Sequence, residues 1–212
     1  GILVVPLMVL AVGDARLSAG ALLPILCVAD IFAVLYWRRH AAAGRLFARA
    51  PWVLAGMALG AVALSLNERT LRWMVGVIVL AMLGVYLRRR LRGGEPGVSH
   101  GAPYGVTAGF ATTVANAAGP VMNLYLLSKR LPKEEFIATG AWFFFVINLS
   151  KIPIYTWHGL ISRHSLTFDA LLAPAVVLGA MTGRRVVDHI PQKLFEALVV
   201  ALTALSTAFL FK

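Results

Sequence analysis

Long apolar runs separated by short basic or Gly-rich stretches set the pattern of this chain. Residues 19–37, AGALLPILCVADIFAVLYW, end on Arg38 and Arg39 and are long enough to cross a bilayer as a helix, which takes about 20 apolar residues. Pro51 opens a run reaching Leu66, and another extends from about Thr70 to Leu87. Then follow Pro103–Ser128, Phe136–Trp157, about Thr167–Gly183 and Leu194–Phe211. Residues 2–12 are apolar too, but about half the length a span needs. In hydrocarbon every backbone polar group must find an internal partner, which predicts helices throughout. The expected fold class is all-α, a polytopic membrane protein.

Pro103–Ser128, PYGVTAGFATTVANAAGPVMNLYLLS, is apolar yet badly built for one continuous helix. Gly105, Gly109, Gly119 and Pro120 weaken it, and Thr112, Thr113, Asn116 and Asn123 place polar groups inside it. Pro120 lacks a backbone donor and disfavours helix at the residue before it, so a break is expected at Asn116–Pro120. On an unbroken helix Thr112, Asn116, Gly119 and Asn123 would share one face. Broken backbone at membrane depth survives only where protein or a water-filled cavity satisfies it. Transporters build substrate sites this way, with half-helix N-termini aimed at an anion. A Gly/Ala-rich helix packed tightly on its neighbours is the alternative.

The chain reads as two repeats, 1–92 and 103–212, joined by a linker at 93–102. PLMVLAVGDARL at 6–17 aligns with PVMNLYLLSKRL at 120–131 at an offset of 114. GMALG at 56–60 aligns with GAMTG at 179–183, and Leu71 with Leu194, at an offset of 123. If the repeats are inverted, fourteen Lys and Arg gather on one side, in the stretches 38–49, 88–92, 129–133 and 184–193. Only Arg16, Arg69, Arg72 and Arg163 then lie opposite, whereas simple crossing of every segment divides the charges evenly. The positive-inside rule prefers the inverted arrangement. It requires 103–128 to enter and leave on one side, as a re-entrant hairpin.

Composition sharpens the picture. The 212 residues are 59% hydrophobic and 14% charged, against roughly 45–50% and about 25% in soluble domains. The net charge of +11 sits at the ends of apolar runs, so nucleic acid is not an expected partner and the lipid bilayer is. Cys27 is the single cysteine, which excludes an intrachain disulfide. No HExxH, CxxC or P-loop pattern occurs, and no metal or cofactor is expected.

The second half most closely resembles the TauE/SafE family of sulfite exporters. The similarity is carried by TTVANAAGPVMNLYLL (112–127), FIATGAWFFFVINLSKIPIY (136–155) and PAVVLGAMTGRR (174–185). GILVVP at 1–6 resembles the end of the Gly-rich segment that opens the first repeat in that family, implying that the start of the first hairpin is missing. The resemblance implies a multi-pass carrier of the bacterial inner membrane, not an enzyme, with two inverted four-segment repeats and broken, re-entrant helices. Its cargo would be sulfite, another sulfur oxyanion or an organosulfonate. An intramembrane enzyme and a non-transporting scaffold are the alternatives; a second copy of the chain is a further candidate partner.

Candidate substrate-binding residues follow. Asn116 and Asn123 offer amide donors to anionic oxygens without adding charge, and Thr112, Thr113, Gly119 and Pro120 frame them. Asn148 and Lys151 follow at i and i+3 on the next span, with Tyr155 beyond. Lys151 would either meet the anion or snorkel to the interface. Asp30 lies in mid-span and, with a four-residue shift between repeats, corresponds to Asn148. A carboxylate there costs at least about 2.5 kcal/mol unless protonated or paired, so it is the candidate for proton coupling, or a structural partner. Arg184 and Arg185 are expected to anchor at the cytoplasmic face, and the two GxxxG pairs to let helices pack closely.

Overall fold

The apolar runs fold as helices in the computed structural model, which describes residues 15–37, 50–63, 67–92, 102–115, 118–157 and 159–209. Among these there are eight helices and no strand: α1 (Ala15–Trp37), α2 (Ala50–Ala63), α3 (Glu68–Leu91), α4 (Ala102–Ala115), α5 (Ala118–Ser128), α6 (Lys133–Trp157), α7 (Arg163–His189) and α8 (Gln192–Phe209). The apolar piece 2–12, the basic loop after Trp37, most of the 93–102 linker and Asn116 lie outside the described residues. Helices α1, α3, α6, α7 and α8 are long and apolar enough to cross a membrane. At 1.5 Å per residue α2, α4 and α5 reach only about 16–21 Å, short of the roughly 30 Å hydrocarbon core.

Local chemistry explains the helix starts. Asn67 caps α3 by accepting from the Arg69 N–H at 2.8 Å. Ser162 and Ser165 form a reciprocal capping box at the head of α7, at 3.0 and 3.1 Å. Pro120 falls in the first turn of α5, where the missing N–H would have had no helical partner anyway.

The expected break is present, and its consequence is a reversal of the chain. Tyr104, near the start of α4, and Tyr125, near the end of α5, have ring centroids 5.5 Å apart. On one straight helix their 21-residue separation would hold them about 31 Å apart. Helices α4 and α5 therefore fold back on each other as a helical hairpin. Thr112 and Asn123 then belong to different helices, and the single polar face of an unbroken helix does not form.

The helices gather into two compact units, each drawing elements from both sequence halves. One holds α1, α6, α7 and the first turn of α8; the other holds α2 to α5 and the remainder of α8. Duplication concerns how segments arose and these units concern packing, so the repeats remain a proposal.

In the first unit α1 packs against both α6 and α7. The Arg184 guanidinium stacks 3.6 Å over the Tyr36 ring, and Gly20 lies against the Leu160 carbonyl. Two such ties, at opposite ends, make α1 and α7 parallel. Helix α6 runs the other way: Lys133 Nζ, at its head, donates to the Val187, Asp188 and Ile190 carbonyls at the tail of α7, at 2.8, 3.1 and 3.0 Å. The Lys133 N–H also donates to Gln192 Oε1 at 2.9 Å. A cation on orphan carbonyls at a helix C-terminus is favourable through both dipole and hydrogen bonds. Lys133→Met, which keeps the stem, should cost roughly 1–2 kcal/mol and lower the thermal midpoint by a few degrees. An unchanged midpoint in detergent would show that the clasp adds nothing.

In the second unit α2 lies on α4, and α3 packs against α4 and α5. GMALG (56–60) of α2 meets GVTAG (105–109) of α4 backbone to backbone. A Cβ on Gly56 would collide with the Val106 carbonyl oxygen, and one on Gly109 with that of Val53. Small residues permit this approach, which brings Cα–H groups onto carbonyls. The matching GAMTG behaves differently: a Cβ on Gly179 or Gly183 would meet nothing within 4 Å. The expectation of close packing holds for the first GxxxG pair and is corrected for the second, which lies on the open surface of α7. That helix is exposed along almost its whole apolar length, including Leu171, Leu178, Met181 and Val186.

Candidate functional site

The first unit carries a polar cluster between two antiparallel helices. Asp30 on α1 accepts from Asn148 Nδ2 on α6 at 2.8 Å. Lys151, one turn beyond Asn148, is only 3% exposed and lies within electrostatic reach of Asp30 and Cys27. The i, i+3 spacing of Cys27 and Asp30 faces the i, i+3 spacing of Asn148 and Lys151, with the helices running in opposite directions. Lys151 is therefore packed inside rather than extended to the boundary. A buried ammonium and carboxyl group form a neutral pair either as two ions or as amine and acid. Such a pair is tolerable in low dielectric only when hydrogen bonds support it, as Asn148 does here.

The second unit carries the hairpin residues. Thr112 and Asn123 are buried, and so is Pro120; Thr113 and Gly119 are half-buried. Thr113 Oγ1 donates to the Gly109 carbonyl one turn back at 3.0 Å. Asn123 is 7% exposed and its Nδ2 has no hydrogen-bond partner among the described residues. An orphaned buried amide donor is costly, about 1–3 kcal/mol. Its geometry suits an acceptor supplied from outside the chain.

Sequence reasoning matched Asp30 to Asn148 as equivalent positions of the two repeats but did not anticipate that the two bond each other. It missed Cys27 beside them, although the matching i, i+3 spacing was visible. It also missed Asp169 on α7, whose Oδ2 is buried without a partner among the described residues. A lone acid in the apolar run 167–183 was the available signal. Arg184, expected only to anchor, stacks on Tyr36 as a cation on an aromatic face.

No curated protein and no solved structure matches the chain. A family model does, that of the sulfite exporter TauE/SafE, over residues 1–210. This match spans the helices of both units and agrees with five helices built to cross a membrane. The chain is a multi-pass membrane protein belonging to the TauE/SafE sulfite exporter family.

Proposed function

We propose that the protein is a secondary transporter that carries sulfite, another sulfur oxyanion or an organosulfonate across the bacterial inner membrane by alternating access. The observation that carries this reading is the buried Lys151, held inside the span one turn beyond Asn148, which bonds Asp30. A charge placed there is costly to keep and is a functional group by default. For an anion it supplies attraction that low dielectric strengthens. Asn148 adds a neutral donor.

The hairpin supplies the second set of candidates, Thr112, Thr113, Asn116, Gly119, Pro120 and Asn123. Its fold-back supports a re-entrant element, since its two ends leave from one side. In the first unit the described basic residues also sort by end. Lys133, Arg184, Arg185 and Lys193 lie at the tail of α7, Arg163 at its head and Arg16 at the head of the parallel α1, with only Lys151 between. That division supports the inverted-repeat topology and a cytoplasmic basic face.

Sulfite flux into proteoliposomes tests the reading, with wild type beside Asn116→Ala and Asn123→Ala. Because Asn123 Nδ2 bonds nothing among the described residues, its truncation should leave folding intact. Saturable wild-type flux should fall about tenfold in each variant, roughly 1.4 kcal/mol of lost binding. Full flux in both variants would move the site off the hairpin, and no flux with sulfite or any sulfonate would sink the substrate class.

A further inference from the structure

Asp169 is an acid that this transport reading leaves without a role. It is 7% exposed on a helix that is otherwise almost all exposed, and its Oδ2 meets no hydrogen-bond donor among the described residues. Ser165, one turn earlier and also buried, cannot supply one, because its hydroxyl donates to the Ser162 carbonyl at 2.9 Å. Asp169 stands four residues inside the Ser165–His189 span, about 6 Å from its head.

Its surroundings can be read from the register of α1 and α7. The Tyr36–Arg184 contact brings Asp169 level with Ala21 on the parallel α1, and the Gly20–Leu160 contact brings it level with about Leu26. The titratable residues of α1 that bound this stretch are Cys27 and Arg16, the side chain of the latter lying outside the described residues. On α6 the titratable side chain nearest that level is Tyr155; on α7 itself it is Arg163, while His158 and the side chain of His164 lie outside the described residues. Asp30 lies about 6–14 Å further along the axis. Asp30 already accepts a hydrogen bond from Asn148. A metal cation is a poor occupant for Asp169: hard cations take six or more oxygens, and no group of three or more candidate ligands occurs among the described residues. A proton needs one oxygen.

We propose that Asp169 is the carboxyl group that takes up and releases the proton coupled to anion transport. Taking a proton from water converts the carboxylate to a neutral acid, which removes the burial cost of the charge. Release on the opposite side of the cycle restores it. Asp30 serves instead as the fixed counter-charge of Lys151. The proposal rests on the transport reading above, and its test separates the two.

Dicyclohexylcarbodiimide, an apolar reagent, adds a protonated carboxyl across its C=N bond and leaves a mass-tagged acylurea. Applied to membranes containing the full chain, it should tag the Asp169 peptide, and not that of Asp30, with the tag absent in Asp169→Asn. In proteoliposomes Asp169→Asn should keep sulfite–sulfite exchange within twofold of wild type while losing tenfold or more of the acceleration by an imposed pH gradient. A merely structural role would lower exchange and gradient-driven flux together, and that result overturns the proposal. So does tagging of Asp30 alone, or gradient-driven flux unchanged in the variant. If wild type shows no flux of any kind, the transport reading falls and this proposal with it. If wild-type flux is robust but indifferent to the gradient, the transport reading stands and this proposal alone falls.

Discussion

Gly109→Ala should unfold much of the second unit, although it adds a single methyl group. That methyl would occupy the position of the Val53 carbonyl oxygen and lie 2.8 Å from the Met57 nitrogen. Both are backbone atoms of α2, so no side chain can rotate away and the helices must separate. Separation withdraws Gly56 from Val106 and Gly60 from Thr113 as well, because one rigid helix carries all these contacts. Overpacking usually costs about 1–3 kcal/mol; with backbone on both sides, the loss here should reach about 3 kcal/mol or more. Gly84→Ala is the control, since a Cβ there meets nothing within 4 Å. Helix propensity alone should make it neutral, or stabilising by up to about 1 kcal/mol. Thermal unfolding in detergent compares the two. Equal midpoints for Gly109→Ala and Gly84→Ala would mean that α2 and α4 do not pack backbone to backbone.

The GxxxG contrast shows what the sequence could and could not convey. GMALG and GAMTG are equivalent as strings, yet one is pressed against a neighbouring backbone and the other is open. Small residues state that close approach is permitted, not which helix approaches. The partner of GMALG was GVTAG, whose glycines read in isolation as helix-weakening. The apolar runs placed the helices but not their starts: α3 and α7 begin at Asn67 and Ser162 caps, ahead of the expected Thr70 and Thr167, because capped polar first turns lie outside the apolar run. The break before α5 was legible because it depends on nearby residues, and the chain reversal followed from charge bookkeeping.

The site divides along the same line. Asp30 and Asn148 were each legible as polar groups inside apolar runs, but their hydrogen bond depends on how α1 packs on α6. Burial of Lys151 was not legible either, because a lysine six residues from a span's end has stem enough to reach the interface. The α1–α6 contact decides between those outcomes. The orphaned oxygen of Asp169 and the Lys133 clasp depend on how α7 lies against its neighbours, which no local pattern encodes.

Lys151→Met should be among the most destabilising changes in the first unit, and a second substitution should repair it. The variant keeps the length of the side chain, so packing changes little, but Asp30 loses the cation within its reach. Removing one partner of a buried pair costs about 3–5 kcal/mol, because the other charge is left uncompensated. Asp30→Asn alone should do comparable harm by leaving the ammonium exposed to low dielectric. The double variant Asp30→Asn, Lys151→Met removes both charges, and an amide at position 30 can still bond Asn148. It should recover at least half of the lost stability, a coupling that a double-mutant cycle in detergent measures directly. Additive losses would show that Asp30 and Lys151 do not interact. Transport then separates stability from function: a double variant restored in folding should still carry sulfite tenfold or more slowly, because the charge offered to the anion is gone. Wild-type flux in that variant would leave Lys151 a structural residue and remove it from the anion's path.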